Sequence, residues 1–156
     1  MFFAHPQDTV YDQVASEIVE NVIAGYNGTV FCYGQTGAGK TYTMSGSPSA
    51  FVHRGIIPRA ISHVFREVDM RVEKQFTIRI SYLEIYNDAL YDLLSDSPPG
   101  TVALHVVTEG GVTTVRGLTQ HEVRGEEDAL AAFFRGEAMR STAEHVLNKE
   151  SSRSHW

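Results

Sequence analysis

Eight consecutive residues, Gly34-Gln35-Thr36-Gly37-Ala38-Gly39-Lys40-Thr41, constrain the fold of this chain more than any other stretch. They follow the pattern G-x-x-x-x-G-K-[ST], in which glycines let the main chain curl so that its N–H groups converge on a phosphate. Lys40 is then placed to reach β- and γ-phosphates, and the Thr41 hydroxyl to ligate Mg²⁺. Such a loop works between a strand and a helix. Thr29-Val30-Phe31-Cys32-Tyr33 is a short apolar run suited to a buried parallel strand, and a helix is predicted from about Gly39. The implied fold class is α/β, a P-loop three-layer sandwich with a largely parallel central sheet and helices on both faces.

The rest of the chain reads as one domain without repeats or linkers, covering residues 1–156. Val10, Val14, Ile18 and Val22 recur at helical spacing, and that helix is expected to stop near Gly25. Ser- and Pro-rich residues 46–53 should interrupt the helix that follows the loop. A second helix is predicted from about Ile57, with Pro58 tolerated in its first turn and Ile61, Val64, Phe65 and Val68 on one face. Phe76, Ile78, Ile80 and Tyr82 alternate with polar residues as a strand does, and the parity shift at Leu83 and Ile85 predicts a bend. Asp88 to Leu94 reads as a short helix. Gly110-Gly111 between two β-branched runs predicts a hairpin, and Leu118 to Val123 a further short strand. Glu126-Glu127-Asp128 opens a helix expected to reach about Arg140, its acids suiting the positive end of the dipole.

Composition narrows the function classes. Of the 156 residues, 42% are hydrophobic and 21% charged, ordinary for a globular domain. The net charge of −6 argues against a nucleic-acid partner, which calls for a basic patch. The single cysteine, Cys32, permits no internal disulfide, which fits a reducing compartment such as the cytoplasm. No apolar run is long enough for a membrane span, and Met1-Phe2-Phe3-Ala4-His5 lacks the features of a signal peptide. His53, His63, His105 and His121 show no metal-ligand spacing, so structural or surface roles are expected for them.

A second motif lies at the far end. Asn148-Lys149-Glu150-Ser151-Ser152-Arg153-Ser154-His155 matches the N-x-x-S-S-R-S-H switch I signature of kinesins. Tyr82-Leu83-Glu84-Ile85-Tyr86-Asn87 and Gly25-Tyr26-Asn27-Gly28-Thr29-Val30-Phe31 stand between and before the two motifs, in kinesin order and at kinesin spacing. The chain resembles the N-terminal half of a kinesin motor domain over essentially its whole length. Ala143, His145, Asn148 and Lys149 are most similar to the ninth kinesin class, associated with cilia and flagella. Myosins share part of both motifs but usually carry Glu-Ser in place of Gln35-Thr36 and Phe-Gly in place of Ser154-His155.

The resemblance implies an ATPase that uses Mg-ATP to move along microtubules, in cytoplasm and cytoskeleton. Cofactor contacts are implied for Gly34, Gln35, Thr36, Gly37, Ala38, Gly39, Lys40 and Thr41, with Tyr42 near the base. Thr41 and Ser152 are the implied Mg²⁺ contacts, Ser151 the holder of the attacking water, and Asn148 a group approaching the γ-phosphate. Lys40 and Arg153 complete the implied catalytic set. In kinesins the switch I arginine pairs with a switch II glutamate, and the Arg140 position pairs with an acid. Neither partner segment is in this chain, nor is the Arg-x-Arg-Pro base contact. Much of the tubulin-binding surface is also expected after Trp156, which agrees with the absence of a Lys/Arg cluster. Dimerisation through a stalk outside the chain stays open, as do direction and cargo.

Two departures stand out. Val146 replaces a common Thr, and Met139 replaces an Asn before Arg140; each should loosen the site mildly. The alternative reading is a truncated, non-catalytic nucleotide-binding or tubulin-interacting remnant. An unrelated small kinase or GTPase leaves residues 148–155 unexplained, and Asn148-Lys149-Glu150-Ser151 lacks the final Asp of a guanine-specificity motif. Two further expectations concern the ends. The source message should continue past Trp156 into a strand and switch II, and the isolated chain should be poorly stable because Val30, Phe31 and Tyr33 would border unpaired strand edges.

Overall fold

A computed structural model of the chain describes residues 6–47, 50–97, 101–147 and 154–155, and from residue 141 onward the backbone only. The chain divides into two compact units, Met1–Phe76 and Thr77–Trp156.

In the first unit, helices α1 (Gln7–Val14) and α2 (Ser16–Ile23) arise from the predicted helical stretch. They meet at Ala15, whose φ of −128° kinks the run while the Ala15 N–H still bonds the Tyr11 carbonyl at 2.9 Å. The buried stripe is Gln7, Tyr11, Ala15 and Val19, at strict four-residue spacing. The valine stripe expected from the sequence sits beside it, with Val14 and Val22 largely exposed. The helix stops where expected. Gly25 takes a φ of +106°, Tyr26 N–H bonds the Asn21 carbonyl, and Gly25 N–H bonds that of Val22. This is the paired bonding of a glycine-terminated helix.

The run 29–33 differs from expectation: it forms no strand, and residues 26–34 carry no regular structure. Val30 packs on the core of Tyr11, Ala15 and Ile56, while Phe31 and Tyr33 are 77% and 85% exposed. Their rings stack at 6.0 Å, and Cys32 is exposed as well. A strand exists only where a neighbour takes its N–H and C=O groups, and no such neighbour occurs among the described residues.

Helix α3 (Lys40–Met44) follows the phosphate loop and is interrupted as predicted. A 3-10 turn (Phe51–His53) and α4 (Ile56–Asp69) complete the unit. Gly46 and Arg54 form an isolated bridge, and Gly55 N–H bonds the Ser45 carbonyl at 3.2 Å. The two backbone segments approach so closely that a Cβ on Gly46 would overlap the His53 carbonyl, and one on Gly55 that of Met44. Pro58 sits in the first turn of α4, and the buried face holds Ile56, Pro58, His63 and Phe65.

In the second unit, β1 (Ile78–Ile80) pairs with β6 (His121–Val123). β2 (Leu83–Tyr86) pairs with β3 (Ala89–Asp92) and with β7 (Ser154–His155), and β4 (His105–Glu109) pairs with β5 (Val112–Arg116). Every pair is antiparallel, so no parallel pairing occurs among the described strands. The expected bend at Leu83 is the point where the chain leaves one sheet for another. The hairpin at Gly110-Gly111 forms as predicted, both glycines at positive φ.

The short helix expected over 88–94 is instead a hairpin. Asn87 and Asp88 have φ of 48° and 61°, the two left-handed residues of a tight two-residue turn. Helix α5 (Glu126–Leu147) runs further than predicted. Its Ala129, Ala132 and Phe133 join Leu93, Leu94 and Val123 in the buried set. The Tyr82 ring stacks parallel on Phe133 at 6.2 Å, and its hydroxyl donates a very short hydrogen bond to Glu137.

Candidate nucleotide-phosphate site

The loop Gly34–Thr41 is held open by backbone geometry. Gly34, Gly37 and Gly39 take φ of 153°, 83° and 92°, which side-chain-bearing residues rarely adopt. Gly39 caps α3 from the left-handed region, and Thr43 N–H bonds its carbonyl at 2.9 Å. A Cβ on Gly37 or Gly39 would meet no atom within 4 Å, so the requirement for glycine there is conformational. Ala38 N–H turns back to the Gln35 carbonyl at 3.1 Å and closes the loop. Among the described residues, the N–H groups of Gly37, Gly39 and Lys40 donate to no backbone carbonyl. Those of Gly39 and Lys40 stand at the start of a helix, where N–H groups have no intrahelical partner.

Lys40 folds across this loop. Its Nζ donates to the Gly34 carbonyl at 2.9 Å and the Gln35 carbonyl at 3.1 Å. Thr41 and Tyr42 are exposed on the first turn of α3. N–H donors without a backbone acceptor, one ammonium and one hydroxyl are a donor set that fits a phosphate with its Mg²⁺. No cluster of three or more His, Cys, Asp or Glu occurs among the described residues.

Residues outside the motif position it. Gln7 is 5% exposed, and its Nε2 donates to the Tyr42 carbonyl at 2.6 Å, tying α1 to α3. Met44 packs on the Tyr11–Ala15–Ile56 cluster, and Val30 anchors the segment before the loop to the same cluster. The glycine pair Gly46 and Gly55 lets the chain return against the end of α3. Only a lone glutamine near a helix start signalled Gln7 in the sequence, and nothing there marked its reach across 35 residues.

Of the second motif, Asn148, Ser151, Ser152 and Arg153 lie outside the described residues. Ser154 and His155 form β7 on β2, with His155 opposite Ile85 and Ser154 opposite Tyr86. Arg140, for which an acid further along the family's chain was expected, lies against Glu137 one turn earlier on α5, at 3.4 Å.

His63 has the structural place expected of it. It is buried, and its Nδ1 lies 2.8 Å from the Tyr11 hydroxyl. Burial pushes the Tyr11 hydroxyl up to about 12, against the opposing pull of Arg66. Burial also raises Tyr82, with the Glu137 hydrogen bond adding to it. Glu67 is held below the usual carboxylate range, first by its hydrogen bond from Arg71 at 2.6 Å.

The kinesin motor domain matches residues 3–156. The chain is 60% identical over 150 residues to kinesin-like protein KLP1 of Chlamydomonas reinhardtii, covering 96% of this chain and 19% of that protein. Against kinesin-like protein KIF9 of Homo sapiens the identity is 49% over 152 residues, with the same coverage of 96% and 19%. It thus spans about a fifth of the length of these curated relatives. A solved structure described as that of a fast kinesin superposes with a TM-score of 0.88 at 37% identity, covering 96% of this chain and 42% of that one. The fold is therefore that of the P-loop nucleoside triphosphatases, and the chain belongs to the kinesin motor-domain family.

Proposed function

We propose that this chain forms the ATP-binding part of a microtubule motor, with Gly34–Thr41 as the cradle for the phosphates of Mg-ATP. The observation that carries this reading is the loop itself: free N–H groups at Gly37, Gly39 and Lys40, with the Lys40 ammonium folded over them. Among the described residues the ammonium's partners there are carbonyls, and a phosphate would draw it off them because a full anion is the stronger acceptor. Thr41 contributes one Mg²⁺ contact and Ser152 the other; Ser151 holds the attacking water, Asn148 approaches the γ-phosphate, and Arg153 latches the closed segment. Tyr42, exposed beside the loop, packs near the base. Mg²⁺ held by the Thr41 and Ser152 hydroxyls would supply positive charge to offset the negative charge that builds on the transferring phosphoryl group. The similarity to KIF9 and KLP1 supports a place in the ninth class, and with it a ciliary or flagellar motor working on the cytoskeleton.

Microtubule-stimulated ATP turnover tests this. Lys40→Ala should lower it by about a hundredfold or more, the scale of losing one aimed donor. Ser152→Ala should cut turnover while leaving ADP affinity within about twofold, because its contact forms with the closed segment. Undiminished turnover in Lys40→Ala would refute the cradle; equal loss of ADP binding and turnover in Ser152→Ala would refute that residue's role.

A further inference from the structure

A second cavity, wholly within the Met1–Phe76 unit, has walls of opposite charge. It encloses about 260 Å³ beside α1, α2 and α4 and takes no lining from the phosphate loop. Asp12 on α1 and Ser16 and Glu20 on α2 line one side, which gives that wall two carboxylates. Arg59, His63 and Arg66 line it from α4 at spacings of four and three, and Arg54 from just before that helix, which puts three guanidiniums on the other. The buried Tyr11–His63 hydrogen bond at 2.8 Å forms part of the same lining.

The basic side is held in place. Arg59 donates through Nε to the Arg54 carbonyl at 2.9 Å and through Nη2 to that of Val52 at 3.3 Å. The guanidiniums of Arg54 and Arg59 both lie over the Phe51 ring, at 4.9 and 5.7 Å. Yet no ion pair joins Asp12 or Glu20 to Arg59 or Arg66 among the described residues. Opposite charges face one cleft without closing it.

We propose that this cleft binds a segment of another protein that presents a basic and an acidic side chain as neighbours, the cation against Asp12 and Glu20 and the anion against Arg59 and Arg66. A polyanion would meet two carboxylates there and a polycation three guanidiniums, so a ligand of paired sign suits both walls best. The volume is below that of a drug-sized pocket and suits two side chains rather than a cofactor.

The test titrates the intact motor domain that contains this chain with a Lys-Glu dipeptide blocked at both ends, and with blocked Lys-Ala and Ala-Glu controls, following the His63 ring signals by NMR. The Lys-Glu peptide should shift them saturably and the controls should not. Glu20→Gln and Arg66→Gln should each weaken binding about threefold to fivefold, the scale of one exposed ion pair. The exchange Glu20→Lys with Arg66→Glu should restore binding to within about twofold, because the walls keep their opposition. No saturable shift with the Lys-Glu peptide, an equal shift from either control, or unchanged affinity in both single variants would overturn the proposal.

Discussion

Lys40 and Gly39 show how unevenly a site's residues announce themselves. Both were legible from the motif, because a positive φ and a cation beside a phosphate admit few alternatives. Gly39→Ala tests the conformational half. With φ at 92° and open space around it, the added methyl should cost about 1–2 kcal/mol in the loop, and measured Mg-ATP affinity should fall about tenfold. Unchanged affinity would mean the loop does not need its left-handed cap. Gln7, by contrast, was illegible, because an amide that bonds a carbonyl 35 residues away leaves no local pattern. Tyr11 is similar: the sequence showed a helical tyrosine and the structure shows a buried hydroxyl on His63. Its hydroxyl titrates at about 12 in the fold against an ordinary 10, so the unfolded chain loses its proton first. Stability contributed by the neutral hydroxyl is therefore full below pH 10 and is lost as pH rises toward 12. Tyr11→Phe should cost about 1 kcal/mol at neutral pH and weaken that alkaline decline, as read by denaturant melts at pH 7 and pH 11. An identical pH profile in the variant would remove Tyr11 as its source.

At the scale of elements, helices were read more reliably than strands, for a physical reason. The i→i+4 bonds of α1, α4 and α5 lie within each segment, so periodicity and caps such as Gly25 suffice to place them. Which stripe of α1 and α2 faces inward depends on α4, and there Gln7, Tyr11, Ala15 and Val19 displaced the expected valines. The 88–94 segment was misread because the helix-compatible residues after Asn87 outweighed a turn signal carried by two left-handed φ values. In the second unit, α5 meets the residue between β1 and β2 through a glycine. A Cβ on Gly136 would overlap the Tyr82 ring, which is stacked on Phe133 and bonded to Glu137. Gly136→Ala should therefore destabilise the unit by about 1–3 kcal/mol, and most of that loss should vanish in a Tyr82→Ala background, where the ring is gone. Thermal melts of the single and double variants measure this, and a fully additive pair would show that the glycine is not there for the ring.

At the scale of the whole molecule, the family and fold were legible from two short motifs and their spacing, and the match over residues 3–156 bears that out. What the sequence could not convey is pairing between distant segments. Residues 29–33 have every local mark of a buried strand, yet a strand is a property of two segments, and Phe31 and Tyr33 stand exposed with no strand partner among the described residues. The central claim, that Gly34–Thr41 cradles the phosphates of Mg-ATP, is tested most directly by a crystal structure of the motor domain with Mg-ADP. In it, β-phosphate oxygens should lie about 3 Å from the N–H groups of Gly39 and Lys40, with the Lys40 ammonium moved off the Gly34 and Gln35 carbonyls onto the phosphate. Nucleotide bound elsewhere, or a Lys40 that keeps both carbonyl bonds with nucleotide present, would contradict it.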